Sequence, residues 1–356
     1  MLSLFERYPP LKEKLPYVSL GEFPTPIEKL ERLGQVIYAP RLYVKRDDLS
    51  GKLYGGNKIR ALEFLFGDAI RSGHKQVIAL GFPASCQALA QAIYVRELGL
   101  GSIAFLFPQI RSQQARQHLL VYQSIDADVR PAIPMILPFL LSHMLKYGHF
   151  PKFLEASTPL GMIGYVSAGL ELKKQIEQGL LPEPDRVYIS LATMGTVVGL
   201  MLGFKAAGLK SQVIGIDNGG RILGRKVATP PHMANLFRET NELLHSLDPS
   251  FPVFEISESS FHIRAGYERQ KDSLMTPAGV QAVAQAKELA NLQLDEMFTA
   301  NSFAALLADG EAGHLQDKTI LWWNTYNSRD FSSQIKSGEY HKLHKSFHRY
   351  FESGSS

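Results

Sequence analysis

The sequence predicts an α/β protein with two domains, in which each parallel sheet lies between helices in a three-layer arrangement. Short runs rich in β-branched residues alternate with amphipathic runs at helical spacing along nearly the whole chain. The strand candidates are apolar on both faces, which is typical of parallel strands covered by helices. The chain has 356 residues, which is long enough for two domains.

The strands and helices can be located from these runs. Strands are predicted to begin at Leu42, Gln76, Ser102, Arg186, Gln212, Pro252 and Thr319. Helices are predicted at about 57–71, 84–98, 112–123, 163–178, 196–208, 229–246 and 277–291. Pro159 and Gly161 interrupt the regular pattern and indicate a domain boundary. We therefore predict a small α/β domain at 56–160, inserted in a large α/β domain made of 1–55 and 161–356.

The bulk composition excludes several classes of protein. The formal net charge is only +4, so neither a nucleic-acid partner nor an acidic membrane surface is predicted. The charged N-terminus lacks the apolar core of a signal peptide, and no uncharged apolar run reaches the roughly 18 residues of a transmembrane helix. The single cysteine, Cys86, fits a reducing compartment. A cytoplasmic location without membrane contact is therefore predicted.

A lysine stands in the first turn of a predicted helix, where the helix dipole disfavours a cation. The segment YGGNKIRALEFLFGDAI places two glycines before the helix, Asn57 as a candidate N-cap and Lys58 directly after it. A nucleotide P-loop is excluded, because Asn57 intrudes into that motif and Ile59 replaces its hydroxyl residue. Two interpretations stay open: a solvated surface lysine, or a nucleophilic lysine that forms a Schiff base.

Two further strand-to-helix turns carry polar residues where ligands of open α/β sheets bind. In LATMGT, Thr193, Gly195 and Thr196 offer amide and hydroxyl groups to an anion, although a turn capped by threonine explains them equally well. In GFPASCQA, Ser85 is either a helix cap or a functional hydroxyl. Cys86 is more typical of packing than of catalysis, because no histidine or asparagine partner is indicated.

Together these segments resemble the D-cysteine desulfhydrase and 1-aminocyclopropane-1-carboxylate (ACC) deaminase family, which are pyridoxal-phosphate (PLP) enzymes of fold type II, the tryptophan-synthase-β fold type. The resemblance runs through KRDDLSGKLYGGNK, PLGMIGYVSAGLEL, YISLATMGTVVGLMLGFKAAG, LDEMFTANSFAALL and ILWWNTYN, and covers most of residues 20–327. It implies that Lys58 forms the Schiff base with pyridoxal 5'-phosphate, that a small amino acid is the substrate, and that the protein is a homodimer.

The resemblance also assigns further site residues. Asn57 and Thr325 are implied to contact the cofactor, with the Thr325 hydroxyl near the pyridine nitrogen. Ser85 matches a serine that acts near the substrate, and Tyr267 matches a second active-site tyrosine. Thr299 agrees with the desulfhydrase branch rather than with the deaminases, which carry glutamate there.

Several positions depart from the family pattern. The phosphate loop, close to SGGT in the family, reads Thr193, Met194, Gly195 and Thr196 here. Met194 adds bulk where the backbone approaches the phosphate, and a non-glycine residue resists positive φ. Cys86 replaces the asparagine that bonds the cofactor's ring hydroxyl, and Gln87 replaces a histidine associated with the substrate. Phe298 lacks the phenol of the tyrosine that the family carries there.

These features predict a PLP-dependent lyase or deaminase that acts on a small amino acid by α,β-elimination, as a D-cysteine desulfhydrase does, and releases ammonia and a 2-oxo acid. The alternative is a catalytically degenerate relative that binds PLP or an amino acid without turnover, because the ring-hydroxyl, substrate and phosphate contacts are altered together. A nucleotide-binding α/β enzyme is disfavoured, since the chain lacks the dinucleotide motif GxGxxG.

The C-terminal segment HKLHKSFHRYFE is rich in histidine. His341, His344 and His348 stand at helical spacing, and Glu352 follows one turn later. His344 and His348, four residues apart, would suit a metal ion. The sequence favours a solvated, basic helix end instead, and no metal is predicted.

Overall fold

The computed structural model describes residues 1–147, 151–222, 225–268, 275–335 and 337–352. The chain divides into two compact units. Unit 1 comprises Met1–Phe64 and Ala156–Ser328, and unit 2 comprises Leu65–Glu155 and Arg329–Ser356. The inserted domain at 56–160 stays a prediction.

Twelve α-helices lie within the described residues: α1 (Ser3–Arg7), α2 (Pro10–Lys14), α3 (Glu31–Val36), α4 (Lys58–Arg71), α5 (Cys86–Glu97), α6 (Gln113–Ser124), α7 (Ala132–Tyr147), α8 (Pro159–Glu177), α9 (Gly195–Ala207), α10 (Pro230–Leu247), α11 (Pro277–Ala290) and α12 (Thr299–Glu311). The same part of the chain contains twelve strands: β1 (Ile27–Lys29), β2 (Arg41–Lys45), β3 (Gln76–Gly81), β4 (Gly101–Leu106), β5 (Asp128–Pro131), β6 (Lys152–Phe153), β7 (Arg186–Leu191), β8 (Gln212–Asp217), β9 (Arg221–Ile222), β10 (Arg225–Lys226), β11 (His262–Arg264) and β12 (Thr319–Trp323).

Unit 1 contains a six-stranded sheet in the order β1-β2-β12-β7-β8-β11. Its strands are parallel apart from β1, which pairs with β2 in the antiparallel sense. β12 pairs with β2 along its whole length, from Thr319 opposite Arg41 to Trp323 opposite Lys45. Because parallel strands direct their carboxyl ends to one edge of a sheet, the turns after β2, β7 and β12 open at the same edge.

Helices cover both faces of this sheet, since its strands are apolar on both faces. On one face, Leu321 and Trp323 of β12 belong to a core shared with α8, α9 and α10. On the other face, Ile320 and Trp322 belong to a core shared with α11 and α12. The predicted α/β architecture with parallel sheets is therefore confirmed.

Helices α8 and α9 approach each other closely at glycines. A Cβ added to Gly169 would lie 2.6 Å from the backbone of Gly203, and one added to Gly203 would lie 2.5 Å from the Val166 carbonyl oxygen. A Cβ on Gly199 would lie 2.6 Å from the Cβ of Tyr165. Real Cβ contacts are not this short, so only glycine lets the two backbones meet. The contact fixes the helix that follows the TMGT loop against its neighbour.

Unit 2 contains a four-stranded parallel sheet in the order β5-β4-β3-β6. Its core contains Ile78, Ile103 and Phe105, against which apolar residues of α7 pack. The C-terminal segment belongs to the same unit: the Tyr350 hydroxyl accepts a hydrogen bond from the Gln109 amide at 3.0 Å and donates one to the Gln109 carbonyl oxygen at 3.1 Å. No helix in the described ranges is both long enough and apolar enough to cross a bilayer.

One predicted strand is wrong. The residues after Pro252 are irregular, because the Asn241 side chain takes up their backbone groups. Its amide nitrogen donates to the Pro252 carbonyl oxygen at 2.8 Å, and its amide oxygen accepts from the Phe254 amide at 2.6 Å. The edge strand of the sheet is β11 instead. The predicted set lacked helices α1, α2, α3, α7 and α12, and α7 contains Pro138 in its interior.

Glu63 of α4 is a buried acid whose charge is only partly compensated. One carboxylate oxygen accepts hydrogen bonds from the amides of Leu20 and Gly21, at 2.9 and 3.0 Å, and from the Tyr17 hydroxyl at 3.3 Å. The other oxygen is buried without a partner in the described part of the chain. Burial raises the pKa of Glu63 to about 7, although these hydrogen bonds and Arg60 act in the opposite direction.

We expect the free energy of unfolding to decrease as the pH rises from 5 to 8, because the folded protein holds the Glu63 proton more tightly than the unfolded chain does. The difference between a pKa of about 7 and the ordinary 4.5 corresponds to about 3 kcal/mol at most. Glu63→Gln removes this titration, so its urea-unfolding free energies at the two pH values should be closer together. The exposed Glu13→Gln should keep the wild-type pH dependence; an unchanged dependence in Glu63→Gln would contradict the assignment.

Candidate cofactor site

The turn before Lys58 is built from close backbone contacts. A Cβ on Gly55 would lie 1.9 Å from the Asp48 carbonyl oxygen, and Gly56 has a φ of +97°, a conformation that favours glycine. The Gly55 amide donates to the side-chain oxygen of Asn327 at 2.7 Å. These contacts fix the point at which α4 begins, with Lys58 as its first residue.

Three segments that carry predicted cofactor-binding residues meet within unit 1. The Asn57 side-chain nitrogen donates to the Thr196 hydroxyl at 2.8 Å, which joins the Lys58 turn to the TMGT loop. The Asn57 backbone amide donates to the Thr325 carbonyl oxygen at 3.3 Å, which joins the same turn to the end of β12. The structure therefore brings together four residues that were predicted to contact the cofactor: Asn57, Lys58, Thr196 and Thr325.

The TMGT loop forms the N-terminus of α9. The helix begins at Gly195, and the amide groups of its first turn have no acceptor within the helix. The Ser157 hydroxyl donates to the Thr193 carbonyl oxygen, and a Cβ on Gly195 would lie 3.0 Å from Ser157 Oγ. The Gly195 amide donates to the Thr193 carbonyl oxygen at 2.9 Å. The anchored loop thus presents the next backbone amides, those of Thr196 and Val197, and the Thr196 hydroxyl, a set of donors that suits a phosphate group.

Met194 holds a left-handed conformation within this loop. Its φ is +64°, and its partly buried side chain packs against the core of unit 1. The backbone therefore keeps the shape that glycine adopts most readily, at the expense of strain in a residue with a Cβ. Apolar packing of the side chain offsets part of that strain.

We expect Met194→Gly to be more stable than Met194→Ala by about 1 kcal/mol. Both variants lose the methionine packing, whereas only the alanine variant keeps a Cβ at positive φ. Chemical unfolding of the two variants measures the difference. An alanine variant as stable as the glycine variant would mean that the loop changes conformation when the methionine is removed.

The amine of Lys58 lacks an ionic partner in the part of the chain that the structure describes. Lys58 is half-buried, and within the described residues its amine makes no hydrogen bond or ion pair. Lys45 shows the opposite arrangement: it is fully buried and donates to the Thr25 carbonyl oxygen at 2.7 Å, to Gln175 at 2.6 Å and to Glu171 at 2.5 Å. A half-buried lysine whose amine is not held by an acceptor is suited to covalent chemistry with a carbonyl group.

A buried ion network holds the first turn of α4. Arg60 is 1% exposed, and its guanidinium pairs with Asp47 at 2.7 Å and with Glu171 at 3.0 Å. Glu171 also binds Lys45, so two cations and two anions compensate one another. Burial by itself raises the pKa of Glu171, but Arg60 and Lys45 outweigh it and lower that pKa to about 2. The ionised network fixes the helix turn that carries Lys58.

In unit 2, Ser85 is the N-cap of α5. Its hydroxyl oxygen accepts a hydrogen bond from the Ala88 amide at 3.3 Å, which leaves its own proton for donation. Gln87 follows in the first turn, and its amide nitrogen donates to the Leu154 carbonyl oxygen at 2.9 Å. The capping interpretation of Ser85 thus describes the structure, and it is compatible with a second role for the hydroxyl.

Two side chains of α6 support the turn that carries Ser85. The Gln114 amide nitrogen donates to the Ala84 carbonyl oxygen at 3.2 Å and lies 3.6 Å from the sulfur of Cys86. His118 is buried, and burial lowers its pKa to about 4, although a hydrogen bond with the Pro83 backbone acts in the opposite direction. No sequence pattern indicates these supports, because they depend on contacts between separate helices.

The other predicted residues contact different elements of unit 1. Thr299 is fully buried, and its hydroxyl donates to the Asp295 carboxylate at 2.5 Å and accepts from the Asp295 amide at 2.7 Å. Phe298 directly precedes α12, while Tyr267 packs against the core on the α12 face and interacts with Arg264. In the described part of the chain no hydrogen bond joins these three residues to the GGNK turn, and their substrate roles stay predictions.

The residues around Lys58 fit a phosphorylated aldehyde such as pyridoxal phosphate. Lys58 offers an amine that no described residue pairs with, and the N-terminus of α9 offers donors for a phosphate. Asn324, which the sequence did not single out, follows β12, and its side-chain nitrogen is buried without an acceptor in the described ranges. A ligand that brings an acceptor would satisfy that nitrogen. Thr325 is half-buried beside it.

Comparison with known proteins agrees with this fit. A D-cysteine desulfhydrase of Yersinia pestis is 27% identical over 330 residues, which cover 88% of this chain and 96% of the relative. The nocardicin C-9' epimerase of Nocardia uniformis is 28% identical over 329 residues, which cover 89% and 94%. A crystal structure described as an ACC deaminase homologue matches with a TM-score of 0.74 and 26% identity, over 92% of this chain and 95% of that one.

The family match covers most of the chain. The family described as "Pyridoxal-phosphate dependent enzyme" matches residues 18–325, a range that includes the GGNK turn, the TMGT loop and the end of β12. Its members use pyridoxal phosphate, and the structural neighbours share fold type II. The chain belongs to the family of pyridoxal-phosphate-dependent enzymes.

Proposed function

We propose that this protein is a PLP-dependent lyase that converts a small amino acid, with D-cysteine as the first candidate, into ammonia and a 2-oxo acid by α,β-elimination. The observation that carries the proposal is the amine of Lys58, which has no ionic partner among the described residues. Lys58 follows Asn57, the residue that joins the GGNK turn to the TMGT loop and to the end of β12. The similarity to a D-cysteine desulfhydrase supports the reaction class.

Each residue has a defined task in this proposal. Lys58 would hold the cofactor through its Nζ atom, and once released would remove the proton from the substrate Cα. The bound cofactor supplies the electron-withdrawing ring that makes this proton acidic. The amides of Thr196 and Val197, together with the Thr196 hydroxyl, would bind the phosphate, and the Thr325 hydroxyl would face the pyridine nitrogen. Ser85 would orient the substrate by donating its hydroxyl proton.

The altered positions support an alternative, in which the protein binds PLP or an amino acid without turnover. Cys86 and Gln87 are engaged with Gln114 and with the Leu154 carbonyl oxygen. Phe298 has no polar group to offer a substrate. An unpaired polar group left on a ligand costs about 1–3 kcal/mol, and three such losses together would remove most of the activity.

A substrate screen separates these functions. The PLP-loaded full chain would be supplied with D-cysteine, L-cysteine and ACC, while the 2-oxo acid and ammonia released are measured. The same assay is applied to the triple variant Cys86→Asn/Gln87→His/Phe298→Tyr, which carries the family residues at the three altered positions. Turnover by the wild type supports the lyase; PLP binding with turnover only in the triple variant supports the degenerate relative. Absence of PLP binding in both proteins would overturn the proposal.

We also propose a cytoplasmic homodimer. The single cysteine suits a reducing compartment, and the family resemblance implies the dimer. Light scattering of the purified chain measures its mass directly, and a value near the 39.7 kDa of one chain would contradict the homodimer.

A further inference from the structure

Three side chains capable of binding a metal converge in the C-terminal segment of unit 2. His341 lies in the 3-10 helix Ser337–Lys342, His348 lies in the next 3-10 helix, Lys345–Tyr350, and Glu352 follows that helix. One ligand atom from each residue lies within 4.8 Å of the others, and His348 Nδ1 is 3.9 Å from Glu352 Oε1. Histidine nitrogens and a carboxylate oxygen are ligands that Zn²⁺ binds in proteins.

The ring of His348 is oriented as a metal ligand would be. Its Nε2 lies 3.0 Å from the Leu343 carbonyl oxygen, which only accepts hydrogen bonds, so Nε2 carries the proton. In the neutral ring Nδ1 then bears a lone pair and faces the Glu352 carboxylate at a distance too long for a hydrogen bond. Histidines that bind metals commonly donate their second ring nitrogen to a backbone carbonyl in this way.

Aromatic contacts hold the second histidine. The ring of His341 lies 3.9 Å from that of Tyr340, and it meets the ring of His348 edge-on, with centroids 5.5 Å apart. Tyr340 in turn stacks on Phe351 at 4.6 Å. The two imidazole rings therefore already lie next to each other before any ion binds, which lowers the entropic cost of binding.

Two of the neighbouring cations are engaged with other groups. Lys342 pairs with Glu339 at 3.1 Å. The Arg349 guanidinium donates to the Gln109 carbonyl oxygen and to the Tyr350 hydroxyl, both at 3.1 Å. The ligand set of two neutral imidazoles and one carboxylate carries a charge of −1, which favours a divalent cation.

We propose that His341, His348 and Glu352 bind a divalent transition metal, with Zn²⁺ as the best match, and that the ion clips the two 3-10 helices together. Ligand atoms on tetrahedral zinc are about 3.3 Å apart, given bond lengths of about 2.0–2.2 Å. His341 and Glu352 are exposed, so their side chains can close the remaining distance. A water molecule would complete the four-coordinate ion.

His344 provides a matched control, because it lies between the two ligands without joining them. Its Nδ1 accepts a hydrogen bond from the Ser346 amide at 3.2 Å and caps the second 3-10 helix. His344 and His348, the pair whose spacing suited a metal in the sequence, are therefore not the pair that the structure brings together.

The test is a zinc titration of the full chain, loaded with PLP and dialysed, in competition with a chromophoric chelator. We expect one equivalent to bind to wild type and to His344→Ala, and we expect His341→Ala and His348→Ala to bind at least tenfold more weakly. Zinc should also raise the melting temperature of wild type and not that of His348→Ala. Zinc binding does not depend on the proposed lyase activity, so the two proposals can fail separately.

Two outcomes would overturn this site. Undiminished zinc affinity in His348→Ala would place the ion elsewhere in the protein. A loss of binding in Cys86→Ser comparable to that in His348→Ala would show that the thiol, and not the C-terminal cluster, holds the ion.

Discussion

Lys58→Ala is expected to lose covalent attachment of pyridoxal phosphate and to reduce any turnover by about a thousandfold or more. The amine of Lys58 is the nucleophile in our proposal, and within the described residues it has no competing anion. Wild type with added PLP should show a visible absorption band that borohydride abolishes, and mass spectrometry should then find the reduced cofactor on the peptide that contains Lys58. The variant should show neither.

The control for this experiment is Lys52→Ala. Lys52 precedes the same turn, but its side chain is 79% exposed and pairs with Glu22 at 3.2 Å. We expect this variant to bind and retain the cofactor as wild type does. Trapping of the cofactor on a lysine other than Lys58 would refute the assignment, even if activity falls in Lys58→Ala.

Glu171→Gln is expected to destabilise the folded protein by about 3–5 kcal/mol at pH 7, because it leaves Lys45 and Arg60 buried with only Asp47 to compensate them. The pKa of Glu171 is lowered to about 2, so its carboxylate stabilises the fold above pH 4.5, and this contribution is lost as the pH falls from 4.5 towards 2. Urea unfolding of wild type and variant should therefore differ most at neutral pH and converge in acid.

Glu177→Gln serves as the comparison within the same helix. Glu177 ends α8, and its pair with Lys173 at 3.5 Å is exposed, so its loss should cost about 0.5 kcal/mol or less. If Glu171→Gln costs no more than Glu177→Gln, the buried network does not stabilise unit 1.

Alternation of apolar strands and amphipathic helices was enough to predict the α/β fold, because strands buried on both faces leave a strong pattern in the sequence. The irregular segment after Pro252 has the same local pattern as a strand. Its backbone bonds go to the side chain of Asn241 in α10, and no local pattern reports that. Propensity was overridden there by a tertiary contact.

The candidate site was predictable to different degrees. The position of Lys58 in the sequence was compatible with a solvated surface lysine and with a Schiff-base lysine. The family resemblance favoured the Schiff-base lysine. Within the KRDD motif, Asp48 pairs with Arg46 at 2.8 Å, a contact between near neighbours in the sequence. Glu171, which completes the network with Lys45, lies 126 residues further along the chain, so no sequence spacing could reveal it.

The C-terminal histidines show a different limit. The expectation of neighbours four residues apart assumes one continuous α-helix. The segment instead forms two 3-10 helices, and the turn between them directs His344 to the backbone and brings His341 next to His348. The break in the helix, rather than the residue types, decides which side chains can share a ligand.

The glycine contact between α8 and α9 has a consequence for how this chain can vary. At Gly169, Gly199 and Gly203 even alanine would place a Cβ within 2.6 Å of existing atoms, so a saturation library selected for folded protein should return almost only glycine codons there. The same library should accept many residues at exposed positions such as Lys52. Divergence of this sequence is therefore confined to variants that keep glycine where the two helices cross.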